Sequence, residues 1–329
     1  MKETIAVTGA TGHVGANLVR MLVAEGYHVR ALLRQPTSEA LHGVPVEVVV
    51  GDLTDEAALQ RLCFQVEVVI HTAAMISIGN IPERAVFETN VTGVANLVRV
   101  CKKQGVRRLI HFSSVDAFVM NGLSTRVDET TPLDLNSSII YKKTKAMGEH
   151  LALQAVTPNF EVIVLAPAAI MGPFDFKPSL IGQMIIQMYS GKLPLIVPGG
   201  YRWVDVRDIC QTAIKAIHQG VSGQKYILAG EWVDLKEMTN MIQPMTLRRV
   251  YRGTAPYWLA YLGVPFIGFW SKITKSQPLY TFDSLRILQS GAQHLCSAKA
   301  ERTFGFVPRP FSETLTETID WFKQNKYLS

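Results

Sequence analysis

The stretch Thr8-Gly9-Ala10-Thr11-Gly12-His13-Val14-Gly15 joins a β-branched run, Ile5 to Thr8, to an amphipathic stretch, Val14 to Glu25. In that setting Gly9 can make a tight turn, Gly12 lets the backbone approach a pyrophosphate, and Gly15 lets the helix pack close to the sheet. The free N–H groups and the dipole at the helix N-terminus favour a diphosphate at the same place. An ordinary strand-to-helix turn is the plain alternative. The position at the chain start, between a real strand and a real helix, favours a dinucleotide site built from Gly9, Thr11, Gly12, His13, Val14 and Gly15. The helix places Val14, Leu18, Leu22 and Val23 on one face and stops at Gly26.

Outward from this turn the first half alternates short β-branched runs with longer amphipathic ones, the pattern of parallel strands linked by crossover helices. Strands are expected at Ile5 to Thr8, His28 to Leu33, Val46 to Val50, Val66 to His71, Arg108 to Phe112 and Glu161 to Ala166. Helices are expected at Val14 to Glu25, Glu56 to Leu62, Arg84 to Lys103 and Ser137 to Ala155. The fold class is α/β, a doubly wound parallel Rossmann sheet with a smaller, mainly C-terminal substrate domain. After Pro167 the regularity weakens at Gly172, Pro173, Pro178, Pro194 and Pro198 to Gly200. We therefore assign residues 1–170 to the dinucleotide-binding domain, with 201–229 returning to it through a helix, Val204 to Gly220, and a strand, Tyr226 to Ala229. Residues 171–200 and 230–310 form the substrate-binding domain, and 311–329 hold a C-terminal helix, Glu313 to Gln324.

In 329 residues, 48% hydrophobic and 18% charged, nothing signals disorder. The formal charge of +6 comes from scattered Lys and Arg without a nucleic-acid module, so no nucleic-acid partner is expected. Cys63, Cys101, Cys210 and Cys296 form no C-x-x-C pair and have no metal-ligand spacing, so no metal is expected. Reduced cysteines and a start that runs straight into a strand, without a basic-then-apolar leader, point to a cytoplasmic chain.

Further positions extend the cofactor reading. Asp52, beside Leu53 after the third strand, can accept from an adenine amino group; its alternative is a helix N-cap, which Thr54 or Asp55 fills equally well. Ala73 and Ala74 end the fourth strand, where small side chains leave room for adenosine. The second strand ends in Arg34, where an NAD-preferring site carries a carboxylate for the ribose 2′-hydroxyl. A guanidinium instead pairs with a 2′-phosphate through two hydrogen bonds, which favours NADP(H), with NAD(H) as the alternative.

Tyr141 and Lys145 lie four apart on one face of an expected helix. A phenol of ordinary pKa near ~10 is a poor acid–base catalyst at neutral pH, and a neighbouring ammonium lowers that value. Ser113 and Ser114 end the fifth strand at the carboxyl edge, where open α/β sheets bind ligands; Ser114 is the choice for polarising a carbonyl. Asn90 could hold a water connecting the lysine to solvent, or simply satisfy buried backbone.

Gly9-x-x-Gly12-x-x-Gly15, Asp52-Leu53, His71-Thr72-Ala73-Ala74, Thr89-Asn90-Val91-x-Gly93, Ser113-Ser114, Tyr141-x-x-x-Lys145 and Pro167-x-x-x-x-Gly172-Pro173 follow in order along the chain. Val206-x-Asp208, Lys299-Ala300-Glu301 and Phe304-Gly305-Phe306 extend the series. The whole resembles the extended short-chain dehydrogenase/reductases, within the NAD-dependent epimerase/dehydratase superfamily. Val7-Thr8-Gly9 and Val29-Arg30-Ala31-Leu32-Leu33-Arg34 look most like dihydroflavonol 4-reductase-like and 3β-hydroxysteroid dehydrogenase-like members. The resemblance implies that Tyr141 exchanges the proton, Lys145 tunes it and contacts the nicotinamide ribose, Ser114 polarises the carbonyl and Asn90 supports a proton relay. It also implies cofactor contacts from Pro167, Ala168 and Ile170, and a homodimer through helices Arg84 to Lys103 and Ser137 to Ala155. The expected function is NADP(H)-dependent transfer of a hydride between nicotinamide and a carbonyl or secondary alcohol. The alternatives are a nucleotide-sugar epimerase or dehydratase with tightly bound NAD, which Asp116 keeps open, and, more remotely, a non-catalytic NADP-binding scaffold or sensor.

The stretch Ala255 to Trp270 is apolar and aromatic but too short and Pro-interrupted to span a bilayer, which takes about 20 apolar residues. A lid over an apolar pocket, an interfacial contact with lipid and simple domain packing are its three readings. With no basic cluster for a diphosphate after Pro173, the small-molecule substrate is expected to be hydrophobic rather than a UDP-sugar.

Overall fold

A computed structural model describes residues 3–76, 81–193, 195–274, 278 and 280–328, with the backbone alone for 267–274. Strand β1 (Thr4–Thr8) leads to α1 (His13–Ala24), β2 (His28–Leu33), β3 (Glu47–Val50), α2 (Glu56–Cys63) and β4 (Val68–His71). Then come α3 (Glu83–Phe87), a π turn (Glu88–Thr92), α4 (Gly93–Gln104), β5 (Arg108–Phe112), β6 (Arg126–Val127), α5 (Ile140–Gln154) and β7 (Glu161–Pro167). The later chain forms β8 (Ala169–Met171), α6 (Leu180–Tyr189), β9 (Leu195–Ile196), β10 (Gly200–Asp205), α7 (Val206–Lys215) and β11 (Gln224–Leu228). It closes with β12 (Trp232–Asp234), α8 (Leu235–Ile242), β13 (Gly253–Thr254), α9 (Tyr257–Thr274), α10 (Phe282–Ser290), β14 (His294–Leu295), α11 (Ala298–Phe304) and α12 (Phe311–Gln324).

Seven strands make one parallel sheet in the order β3-β2-β1-β4-β5-β7-β11. Parallel strands covered by helices on both faces must be apolar on both faces, and the central strands are, whereas edge strand β3 leaves Glu47, Val48 and Val50 exposed. Ile5, Val7, Ile110 and Ile163 pack with Leu18 of α1 and Ile209 of α7, whereas Ala6, Val69, Leu109 and Val162 pack with Leu59 of α2 and Leu97 of α4. The strand order reverses beside β1, which opens a crevice at the carboxyl ends of β1 and β4. A second sheet, β8-β10-β12, covers a separate core holding Met171, Ile185, Trp203, Met238 and Phe322.

Several expected boundaries move, each for a tertiary reason. The helix expected over Arg84 to Lys103 is interrupted at Glu88–Thr92 by the π turn, which turns Asn90 and Val91 inward. Val204 and Asp205, expected to begin a helix, complete β10 instead, because Trp203 to Asp205 pair with Ala169 to Met171. Asp205 then caps α7 by accepting from the Arg207 N–H at 2.8 Å, and that helix ends at Lys215 rather than Gly220. The helix expected from Ser137 starts at Ile140, and the last helix starts two residues early, at Phe311 behind Pro310.

The turn after β1 is held by contacts that only glycine permits. Gly9 has φ +74°, and a Cβ there would lie 2.5 Å from the Ala73 nitrogen; a Cβ on Gly15 would lie 2.1 Å from the Gly9 carbonyl oxygen. Gly15→Ala is therefore expected to cost about 3 kcal/mol, since backbone must move to admit the methyl. Urea unfolding reads this, and an unchanged midpoint would contradict the packing described.

Candidate active site

A cavity of about 410 Å³ opens at the carboxyl ends of the central strands. Its walls include Gly9, Gly12, His13, Val14 and Gly15 from the turn, and Ala74 after β4. Ser114, Tyr141 and Lys145 line it too, as do Pro167, Ala168 and Ile170. Thr11, Arg34, Asp52, Leu53, Ala73 and Asn90 do not.

The turn is suited to an anion. Gly12 is the N-cap of α1 in extended conformation, no side chain caps this helix, and its first turn carries no acid, so the first-turn N–H groups stand open. A Cβ on Gly12 would meet no protein atom closer than 3.4 Å. Protein packing alone does not demand glycine there, whereas a ligand seated in the cavity would. These residues fit a dinucleotide. The His13 ring does something else: its Nε2 lies 3.2 Å and 3.1 Å from the Gly172 and Pro173 carbonyl oxygens, and Asn17 also donates to Pro173 at 2.9 Å. Together they tie α1 to the loop after β8.

The adenosine-side candidates separate by environment. Arg34 is exposed, with no hydrogen bond or ion pair among the described residues. Asp52 accepts from the Thr54 N–H at 2.8 Å and hydroxyl at 2.6 Å; these bonds, with a smaller attraction from Arg34, hold its carboxyl below the usual range. Both bonds use Oδ1. The N-cap of α2 is Asp55, which accepts from the Ala58 N–H at 2.9 Å. Leu53 is buried against Gly93, and Ala73 lies directly beneath Gly9.

Tyr141, Lys145 and Glu149 follow at four-residue intervals on α5 and are buried. Lys145 does not lower the Tyr141 phenol, as the sequence had led us to expect; its Nζ donates to the Phe112 carbonyl at 2.6 Å. Burial pushes the phenol above its usual range, the Asp116 carboxylate adds to this, and a hydrogen bond with Ser114 opposes it. The phenol thus keeps its proton at neutral pH. Ser114 Oγ accepts from the Asp116 N–H at 3.1 Å, which leaves its own O–H to donate. Ser113 turns the other way and donates to Glu149 at 2.5 Å. The Asn90 amide is committed: it donates to the Met75 carbonyl at 2.9 Å and to Thr144 at 3.2 Å, and accepts from the Met75 N–H at 2.8 Å.

Glu149 is the polar group that the sequence reading overlooked, although its spacing from Lys145 was visible. Burial raises its carboxyl, opposed by Ser113, Lys225 and Lys145. Also unforeseen is a stacked pair of buried imidazoles at the ends of β4 and β5, His71 and His111, with centroids 5.3 Å apart. Burial drives His71 down to about 3 and His111 well below its usual value, with the Lys145 charge contributing to both, so both rings are neutral.

Burial lowers the Lys145 ammonium to about 8, against the opposing pull of Glu149. A step that needs this cation is therefore constant at lower pH and falls as pH rises through about 8. Glu149→Gln removes the opposing carboxylate and is expected to move that alkaline limb to lower pH. The pH profile of kcat/KM measures it, and a limb that stays in place speaks against the coupling.

With this geometry established, comparison with known proteins gives consistent matches. The profile of the NAD dependent epimerase/dehydratase family matches residues 5–229. The chain is 33% identical over 327 residues to sterol demethylase protein B of Methylococcus capsulatus, covering 98% of each chain. It is 25% identical over 350 residues to the bifunctional dihydroflavonol 4-reductase/flavanone 4-reductase of Malus domestica, covering 97% of this chain and 96% of that one. Among solved structures it is similar to gox2253, with a TM-score of 0.85, 29% identity and full coverage of both chains.

Proposed function

This chain belongs to the NAD dependent epimerase/dehydratase family, and we propose that it is an NADP(H)-dependent reductase interconverting a carbonyl and a secondary alcohol on a small hydrophobic substrate. Arg34 carries the cofactor preference: an exposed guanidinium at the end of β2, free of any ion pair among the described residues, is open to a 2′-phosphate. The substrate preference is supported by the cavity wall contributed by Trp232, Leu235, Leu285, Ile287 and Leu288. The names of the sterol and dihydroflavonol relatives point the same way.

In this reading the turn from Gly9 to Gly15 holds the diphosphate, Asp52, Leu53, Ala73 and Ala74 surround the adenosine, and Pro167, Ala168 and Ile170 flank the nicotinamide. When bound, the reduced nicotinamide supplies the hydride. Ser114 donates its O–H to the substrate carbonyl oxygen, where negative charge develops. Tyr141, neutral at physiological pH, gives its proton to the same oxygen. Lys145, fixed on the Phe112 carbonyl, meets the nicotinamide ribose. Asn90 acts by positioning the Met75 backbone and Thr144. Residues 1–170 with 201–229 then serve the cofactor, and 171–200 with 230–310 the substrate. A cytoplasmic dimer through α4 and α5 belongs to the same proposal.

A second reading, an epimerase or dehydratase retaining NAD, draws on Asp116, whose carboxyl burial raises beside Tyr141. NAD found bound in stoichiometric amount after purification would favour it.

Arg34→Asp is expected to weaken NADPH binding about 100-fold while sparing NADH, because two charge-assisted hydrogen bonds are lost and a repulsion is gained. Equal or tighter NADH binding by the unaltered protein would overturn the cofactor assignment. Tyr141→Phe should lower kcat about a hundredfold to ten-thousandfold with cofactor affinity retained, and single-turnover oxidation of NADPH with a hydrophobic ketone reads it.

A further inference from the structure

Helix α9 leaves an apolar face in solvent. Tyr257, Ala260, Tyr261 and Val264 turn one side of it into the second core. Trp258, Leu262 and Phe266 point away from that core, 64%, 61% and 78% exposed. Four-residue spacing keeps the three in one stripe, with exposed Leu259 beside them. Single exposed apolar side chains are ordinary on a protein surface, but a helix face of Trp, Leu and Phe marks a contact. Phe282 of α10 stacks on Tyr261 at 6.1 Å and is itself half exposed, so the apolar surface continues onto α10. That helix lines the cavity with Leu285, Ile287 and Leu288.

Charge selects the occupant. From Met238 to Phe282 the chain has no Asp or Glu, while Arg248, Arg249, Arg252, Lys272 and Lys275 all fall there. Those five cations account for nearly all of the formal +6 of the whole chain. Arg248, Arg249 and Arg252 are exposed, none is ion-paired among the described residues, and they lead through β13 into α9. A second copy meeting this face across a two-fold axis would set these cations against their own duplicates. An anionic bilayer pairs with them and accepts the stripe: arginines suit lipid headgroups, and Trp and Phe suit the boundary with the acyl chains. Among the described residues no helix is long and apolar enough to cross a membrane, and Pro265 interrupts α9.

We propose that α9 docks this protein on an anionic phospholipid surface, lying in its plane, with Trp258, Leu262 and Phe266 in the interface and Arg248, Arg249 and Arg252 among the headgroups. The proposal goes beyond the reductase reading and does not rest on it. The full chain is floated with vesicles of phosphatidylcholine alone or mixed with phosphatidylglycerol, at low and high salt. Binding at least about tenfold tighter to the mixed vesicles, weakening with salt, is expected. Leu262→Glu and Phe266→Glu should each leave the protein unbound with unfolding temperature and circular dichroism unchanged, and charge reversal at the three arginines should reduce binding to the phosphatidylcholine level. Failure to float with phosphatidylglycerol overturns the proposal, as does flotation that Leu262→Glu leaves intact. A dimer seen by sedimentation that Leu262→Glu separates, without any flotation, would assign this face to self-association instead.

Discussion

Everything at the centre of this molecule depends on backbone meeting backbone at the end of β1. Gly9 sits on Ala73 after β4, and Gly15 sits on the Gly9 carbonyl, at distances that leave no space for a methyl group. This contact pulls the N-terminus of α1 down onto the sheet where its strand order reverses. The uncapped N–H groups of the helix therefore open into the crevice, and the cavity takes its position from them. His13 and Asn17 then fasten the loop carrying Gly172 and Pro173 to the same helix, so the chain leaving the first sheet is anchored beside the turn.

Around that anchor lies an unusual quantity of buried polarity. Lys145, Glu149, Ser113, His71 and His111 are all buried between the sheet and its helices. Such groups cost least when their partners are fixed, and neither ring nitrogen of His111 has one among the described residues. Lys145 is held by the Phe112 carbonyl and Ser113 by Glu149, while Thr8 bonds His71 at 2.6 Å. Keeping both imidazoles neutral leaves the Lys145 ammonium without a cationic rival. Burial opposes the Lys145 ammonium and Glu149 supports it, and these groups come from four segments of chain, the ends of β1, β4 and β5 and helix α5.

The order of elements was legible because its signals are local. Short β-branched runs, a glycine pattern between strand and helix, and a Tyr-to-Lys spacing of four all survive in one dimension. Boundaries were less legible where a distant partner decides them: Val204 and Asp205 are strand because Ala169 to Met171 lie alongside, and the helix containing Asn90 widens into a π turn where its amide bonds Met75 and Thr144. Glu149 could have been found by continuing the four-residue count one step past Lys145. The His71–His111 stack could not, since it follows from the register of β4 against β5.

The sequence by itself determined the fold family and the place of the glycine turn, and it offered Ser114, Tyr141 and Lys145 as candidates, because each is written in contiguous residue types and spacings. Tertiary structure alone decided which way those groups face and what charge they carry. Tyr141 is raised rather than lowered because Asp116 and burial surround it while Lys145 turns to the Phe112 carbonyl. A pKa and a hydrogen-bond partner are properties of an enclosure, and the enclosure exists only after remote segments have packed.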